Sequence, residues 1–192
     1  MVSQIKVNEI IKQSGSSITI GESGDTIDLS NPSSVTLNST MKMTPAFFVQ
    51  KTSDQTVSDN TKTLVTWDDE VYDTDSAFAS NKFTVPSGFA GKYNFYIHVT
   101  MGTSGSFGVR NPRAYIYKNG NSLYMFLGPN NEQGNDTYSV TGTLSLDLAV
   151  GDYIEVYGRN DNDAGTPYFL GKSGDSPNEE RTWFGGYKLI GV

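Results

Sequence analysis

The chain has 192 residues, with 14 Lys and Arg against 21 Asp and Glu, a net charge of −7, and room for one large all-β domain plus an appendage. The acidic balance argues against a nucleic-acid-binding face. The absence of cysteine excludes disulfides, thiolate catalysis and Cys-ligated zinc, and the single histidine, His98, excludes a multi-histidine metal site. No apolar run approaches the ~20 residues of a membrane-spanning helix, and residues 1–6 (MVSQIK) lack a signal-peptide core. The expectation is a soluble acidic protein with no membrane insertion, made in a reducing cytoplasm.

Charged residues make up 18% of the chain, while aromatics reach 12% and glycines number 20. Aromatic and β-branched residues favour strands, and Gly, Asn and Asp supply turns. No long stretch shows apolar residues at helical spacing. The composition predicts an all-β fold.

Residues 1–43 contain no Phe, Tyr or Trp. Three short alternating pieces recur there, Ile18-Thr19-Ile20, Ile27-Asp28-Leu29 and Val35-Thr36-Leu37, with Gly, Ser or Asn-Pro between them. None buries enough surface to offset its own ordering entropy, so such pieces become stable only by stacking on copies of themselves or on a partner. This segment is read as a short β-rich anchor or collar, with Ile5, Val7, Ile10, Ile18 and Ile20 as its anchoring residues. The competing reading is a disordered tail.

The globular head spans 44–192. Strands are predicted at Pro45–Lys51, Thr63–Trp67, Lys82–Val85, Lys92–Met101, Arg113–Lys118, Ser122–Leu127, Tyr138–Leu148, Tyr153–Arg159 and Trp183–Ile190. Alternation is cleanest in Tyr93-x-Phe95-x-Ile97-x-Val99, where Tyr96 interrupts the polar side and asks for a second partner surface. Asn119-Gly120 is a strong hairpin signal, because both residues tolerate positive φ. Many strands joined by such turns predict a jelly-roll β-sandwich.

The residues give little sign of catalysis. His98 falls mid-strand, away from any nucleophile elbow, and reads as a surface or interface side chain. The carboxylates Asp68-Asp69-Glu70, Asp161, Asp163, Glu179 and Glu180 read as solvated loop residues. Asp161-x-Asp163-x-Gly165 resembles the start of a calcium loop, but Lys172 stands where the bidentate Glu would be, which excludes an EF-hand. A loosely bound Ca²⁺ held by several loops stays open, and no other cofactor is expected. Trp67 and Trp183 read as core or interface residues, while Tyr168 lies in a long loop.

Strand direction places the loops. In an antiparallel sandwich alternate connections share an end, so 52–62, 102–112, 128–137 and 160–181 should gather at one end, opposite 119–121 and 149–152. Long loops on a rigid scaffold carry binding. The expected ligand contacts are Glu132, Asp136, Asp161, Asp163 and Tyr168.

Several segments together resemble the complement C1q-like domain, a jelly roll of the tumour necrosis factor type. They are Phe83-Thr84-Val85-Pro86 with Gly91-Lys92-Tyr93-Asn94-Phe95, Lys118-Asn119-Gly120, Leu146 through Val156, and Phe184-Gly185-Gly186-Tyr187-Lys188-Leu189. Gly185 replaces the serine usual in the last motif. The resemblance covers about residues 44–191 and implies a homotrimer with no enzymatic activity. Residues 1–43 are similar to N-terminal segments of bacteriophage tail fibres. Together these imply a phage virion structural protein, a trimeric fibre or appendage made in the host cytoplasm. Residues 1–43 would bind other virion proteins, and the head would display loops to a host-surface glycan or protein. The alternatives are a capsid decoration or cement protein and a bacterial lectin-like module.

Overall fold

Period-two alternation gives the longest runs one buried and one outward side, and the fold follows from pairing those sides. A computed structural model of the protein describes residues 43–106, 108–130, 134–171 and 181–190. Among these residues there are thirteen strands and no helix: β1 (Ala46–Gln50), β2 (Gln55–Thr56), β3 (Thr63–Leu64), β4 (Asp69–Asp73), β5 (Phe78–Ala79), β6 (Lys82–Thr84), β7 (Gly91–Thr103), β8 (Arg113–Lys118), β9 (Asn121–Leu127), β10 (Thr137–Leu148), β11 (Tyr153–Arg159), β12 (Pro167–Phe169) and β13 (Trp183–Lys188). The anchoring residues expected in 1–42, and Glu132, lie outside the described residues.

All pairings are antiparallel. In sheet I, β10 runs along one side of β7 from Gly91 to Gly102, while β13 and then β12 share the other side. Strands β1 and β4 continue the sheet beyond β13, and β2 continues it beyond β12. Sheet II has the order β5-β6-β11-β8-β9, with β3 pairing on β11 past the end of β6. The result is an all-β jelly-roll sandwich, as the composition and turn pattern predict.

Four strands were not expected from the sequence. Strand β4 reads Asp-Glu-Val-Tyr-Asp, poor in strand formers, and is tolerated because it is an edge strand where charges discourage further pairing. Strands β2, β5 and β12 have three residues or fewer, too short for periodicity to register. Conversely, β3 stops at Leu64, and Trp67 is held outside it by its backbone N–H donating to Asn81 Oδ1 at 2.8 Å.

The core lies between the sheets. From β7, Tyr93, Phe95, Ile97, Val99 and Met101 all point inward and are fully buried. Phe47 of β1 is the hub, with ring centroids 4.9 Å from Phe83, 4.9 Å from Phe184 in an edge-on arrangement, and 5.2 Å from Phe78. It joins both sheets, so its removal leaves a cavity that neither can fill alone. Phe47→Ala is expected to destabilise the head by about 3–5 kcal/mol in denaturant unfolding.

The two tight turns lock together at one end. Asn119 (φ 53°) and Gly120 (φ 76°) form the β8–β9 turn. Asn119 Oδ1 accepts from the Tyr153 backbone at 2.9 Å, and its Nδ2 donates to Asp152 at 2.7 Å. The hydrogen bond from Asn119, reinforced by Lys118 and by the Ala149 backbone N–H, holds the Asp152 carboxyl down at about 2. A depressed folded-state value means the stabilisation is present above the ordinary carboxylate range and is lost as pH falls toward 2. Asp152→Asn should therefore melt about 3 °C lower than the parent at pH 7, with the gap closing as pH drops through 4 to about 2.

Candidate functional site

The long connections gather at the end opposite those two turns. Asn60 N donates to Asn160 O at 2.8 Å, Arg110 N to Asp161 O at 2.9 Å, and Thr103 N to Asp136 O at 3.2 Å, while Val109 bridges both Asn135 and Asn162. Buried Asn160 donates its side-chain amide to Gly102 O at 2.8 Å. Strand direction alone had placed these loops at one end, and the described parts are there.

Of the residues expected to contact a ligand, Asp136, Asp161, Asp163 and Tyr168 sit in this cluster, each already engaged by the protein. Asp161 faces Arg159 at 3.6 Å, and Asp163 is ion-paired with Arg110. Tyr168 belongs to β12, where its ring covers Gly102 and its hydroxyl reaches toward Thr103 O at 3.4 Å. A Cβ on Gly102 would fall 2.4 Å from that ring, so glycine is required there for the close approach. Burial, with Asp54 and Asp136 nearby, pushes the Tyr168 hydroxyl up. Among the described residues, no group of three His, Asp or Glu side chains is arranged to hold a metal ion.

The outward face of sheet I was signalled in the sequence by Tyr96 alone. Registration brings the outward residues of four strands into rows. Tyr96 of β7 stands beside Gly185 of β13, followed by Phe48 of β1 and Tyr72 of β4. One row over, His98 stands beside Trp183. Their ring centroids lie 5.1 Å apart and nearly parallel, and Phe48 is 6.2 Å from both Tyr72 and Trp183. The Tyr96 ring lies over Gly185, whose Cβ would meet it at 2.5 Å. The glycine that departs from the motif thus makes room for an outward aromatic ring. Burial raises the Tyr96 hydroxyl and lowers the His98 imidazole. His98 Nδ1 also lies 2.7 Å from Thr141 Oγ1, so this histidine is engaged on the sheet surface.

A second apolar surface lies at the other sheet's edge. Strand β9 pairs only with β8 in the sheet order, and it leaves Leu123, Tyr124, Met125 and Leu127 exposed, the last at 63%. An exposed apolar edge strand invites pairing or burial.

The comparisons with solved structures agree with this architecture. The globular domain of zebrafish complement 1qA aligns with TM-score 0.50 and 19% identity, covering 76% of this chain and 98% of that one. Two crystal structures of murine APRIL, at pH 5.0 and pH 8.0, align with TM-scores of 0.51 and 0.50, 17% identity, and 75% and 98% coverage. The head has the C1q-type jelly-roll fold. No protein-family model matches the chain, and no curated protein matches it. Within the C1q-type head, the described parts of the distal loops are tied down by their own contacts, whereas the aromatic face and β9 present apolar surface. Asn160→Ala should loosen the loop cluster, lowering stability by about 2 kcal/mol and raising hydrogen exchange at Gly102 and Asn60.

Proposed function

We propose that the chain is a non-enzymatic bacteriophage virion protein, a homotrimeric appendage whose N-terminal segment docks on the particle and whose head displays its distal loops outward. The observation that carries the assembly is the presence of two apolar surfaces on different parts of one head. One is the aromatic face formed by Phe48, Tyr72, Tyr96 and Trp183, and the other is the exposed edge strand β9. Two different surfaces that bury each other make a heterologous contact, and such contacts close into rings when the rotation permits. Three is the number the C1q-like resemblance implies. The virion role is supported by the similarity of residues 1–43 to phage tail-fibre segments. The absence of a poised nucleophile or acid–base pair in the sequence supports a display role over catalysis.

The expected outcome in sedimentation equilibrium is a species of three times the chain mass of 20.9 kDa. Leu127→Glu, which puts a charge on the exposed edge, should shift it to monomer while the strand signature in circular dichroism is kept. A parent chain that stays monomeric at micromolar concentration overturns the assembly. Purified phage particles should carry the chain, and deleting residues 1–43 should remove it from them while the head still trimerises. Particles that incorporate the truncated head normally would contradict the virion docking.

A further inference from the structure

The outward face of sheet II carries a charge arrangement that the fold alone does not explain. In the register of β11 against β8, Arg159 lies directly opposite Arg113, and one step along that face Tyr157 lies opposite Tyr115. Directly opposed residues of an antiparallel pair project to the same side, where like charges repel. Lys62 adds a third cation, its Nζ 4.6 Å from the centre of the Tyr115 ring. Arg159 is engaged on two sides, its Nε donating to Asn60 Oδ1 and its Nη2 3.6 Å from Asp161, which supplies a single carboxylate. Among the described residues, neither Arg113 nor Lys62 has a carboxylate at ion-pair distance. Arg113 Nε instead donates to the side-chain oxygen of Asn111 at 3.3 Å. In a chain of net charge −7, three cations against one carboxylate form a local positive spot beside an aromatic surface. Tyr117 extends that surface, its ring stacked on Tyr157 with centroids 4.0 Å apart. Further along, Glu155 lies opposite both Lys82 and Tyr117, which closes the positive spot on that side.

We propose that Arg113, Arg159 and Lys62 form an oxyanion site that receives a sulfate or carboxylate group of an acidic polysaccharide, with neighbouring sugars lying on the half-buried rings of Tyr117 and Tyr157 beside the buried Tyr115. An oxyanion between two guanidinium groups removes their repulsion and accepts from planar donors on both sides. Tyrosine offers sugars an apolar ring and a polar tip together. A nucleic acid fits less well, because its affinity comes from many phosphate contacts and the footprint holds three cations. The site lies on β8, β11 and the segment before β3, on the sheet opposite the aromatic face. Its residues all come from one protomer, with Leu127 and Met125 of β9 beside it as the register partners of Arg113 and Tyr115; a monomer that binds acidic glycan keeps this proposal and loses the assembly.

The test is isothermal titration of the full chain at low salt with lightly sulfated dextran, with unmodified dextran and with an oligothymidylate. Binding is expected to sulfated dextran alone and to weaken as salt rises. The double variant R113Q/R159Q should bind about tenfold more weakly. K62Q should bind about threefold more weakly, and K92Q, which removes the same charge from sheet I, should stay within about twofold of the parent. R113Q alone removes an opposed like charge, so it should melt no lower than the parent, which separates lost binding from lost folding. The proposal is overturned if sulfated dextran does not bind. It is also overturned if K92Q weakens binding as much as R113Q/R159Q, or if unmodified dextran or the oligothymidylate binds as tightly.

Discussion

The pairing of β7 on both sides is the constraint from which the rest of the head follows. Because β10 holds one side along its length and β13 with β12 hold the other, the strand cannot slip by one residue without reversing every side chain. Its inward residues, Tyr93 through Met101, then dictate the core, where Phe47, Phe83 and Phe184 close around them. The same register fixes the opposite side. Tyr96 and His98 must point outward, and the alignment with β13 and β1 sets Trp183 and Phe48 beside them. A single strand thereby specifies both the interior and a half-buried aromatic surface.

This division accounts for what was readable in the sequence. Alternating apolar runs such as 93–99 and 144–148, and the Asn119-Gly120 turn, are local signals whose physical meaning does not depend on partners, so strands and fold class could be inferred. Loop placement was also accessible, because strand reversal is a counting argument. Short strands were not, since Gln55–Thr56 and Pro167–Phe169 owe their conformation to the neighbours they pair with. Tyr168 shows the consequence. Read as a loop residue free to meet a ligand, it lies on β12 and shields Gly102. Likewise Asp161 and Asp163 looked like solvated carboxylates in the chain, and only the fold brings Arg159 and Arg110 to them. The outward aromatic face was signalled by one residue, Tyr96, because its other members come from strands distant in sequence.

At the loop-rich end the described parts of the connections are hydrogen-bonded to one another, and the apolar surface lies elsewhere on the head. Hydrogen bonds through Asn60, Asn160 and Asn162 bind the distal connections to one another. At the opposite end, Asn119 and Asp152 fasten two hairpin turns. Both ends of the sandwich are thus fastened by side-chain to backbone hydrogen bonds as well as by the strand ladders.

The central claim is that the aromatic face of one head and the β9 edge of the next cover each other. Hydroxyl-radical footprinting of the assembled full chain measures this directly, because it reads side-chain exposure at both surfaces in one experiment. Tyr72, Trp183, Tyr124 and Leu127 should be modified more slowly than in a dispersed monomer such as Leu127→Glu, with position 127 itself read only in the parent. Exposed Val150, which belongs to neither surface, should react at the same rate in both. Rates at Tyr72, Trp183 and Tyr124 that do not differ between the two would contradict the account.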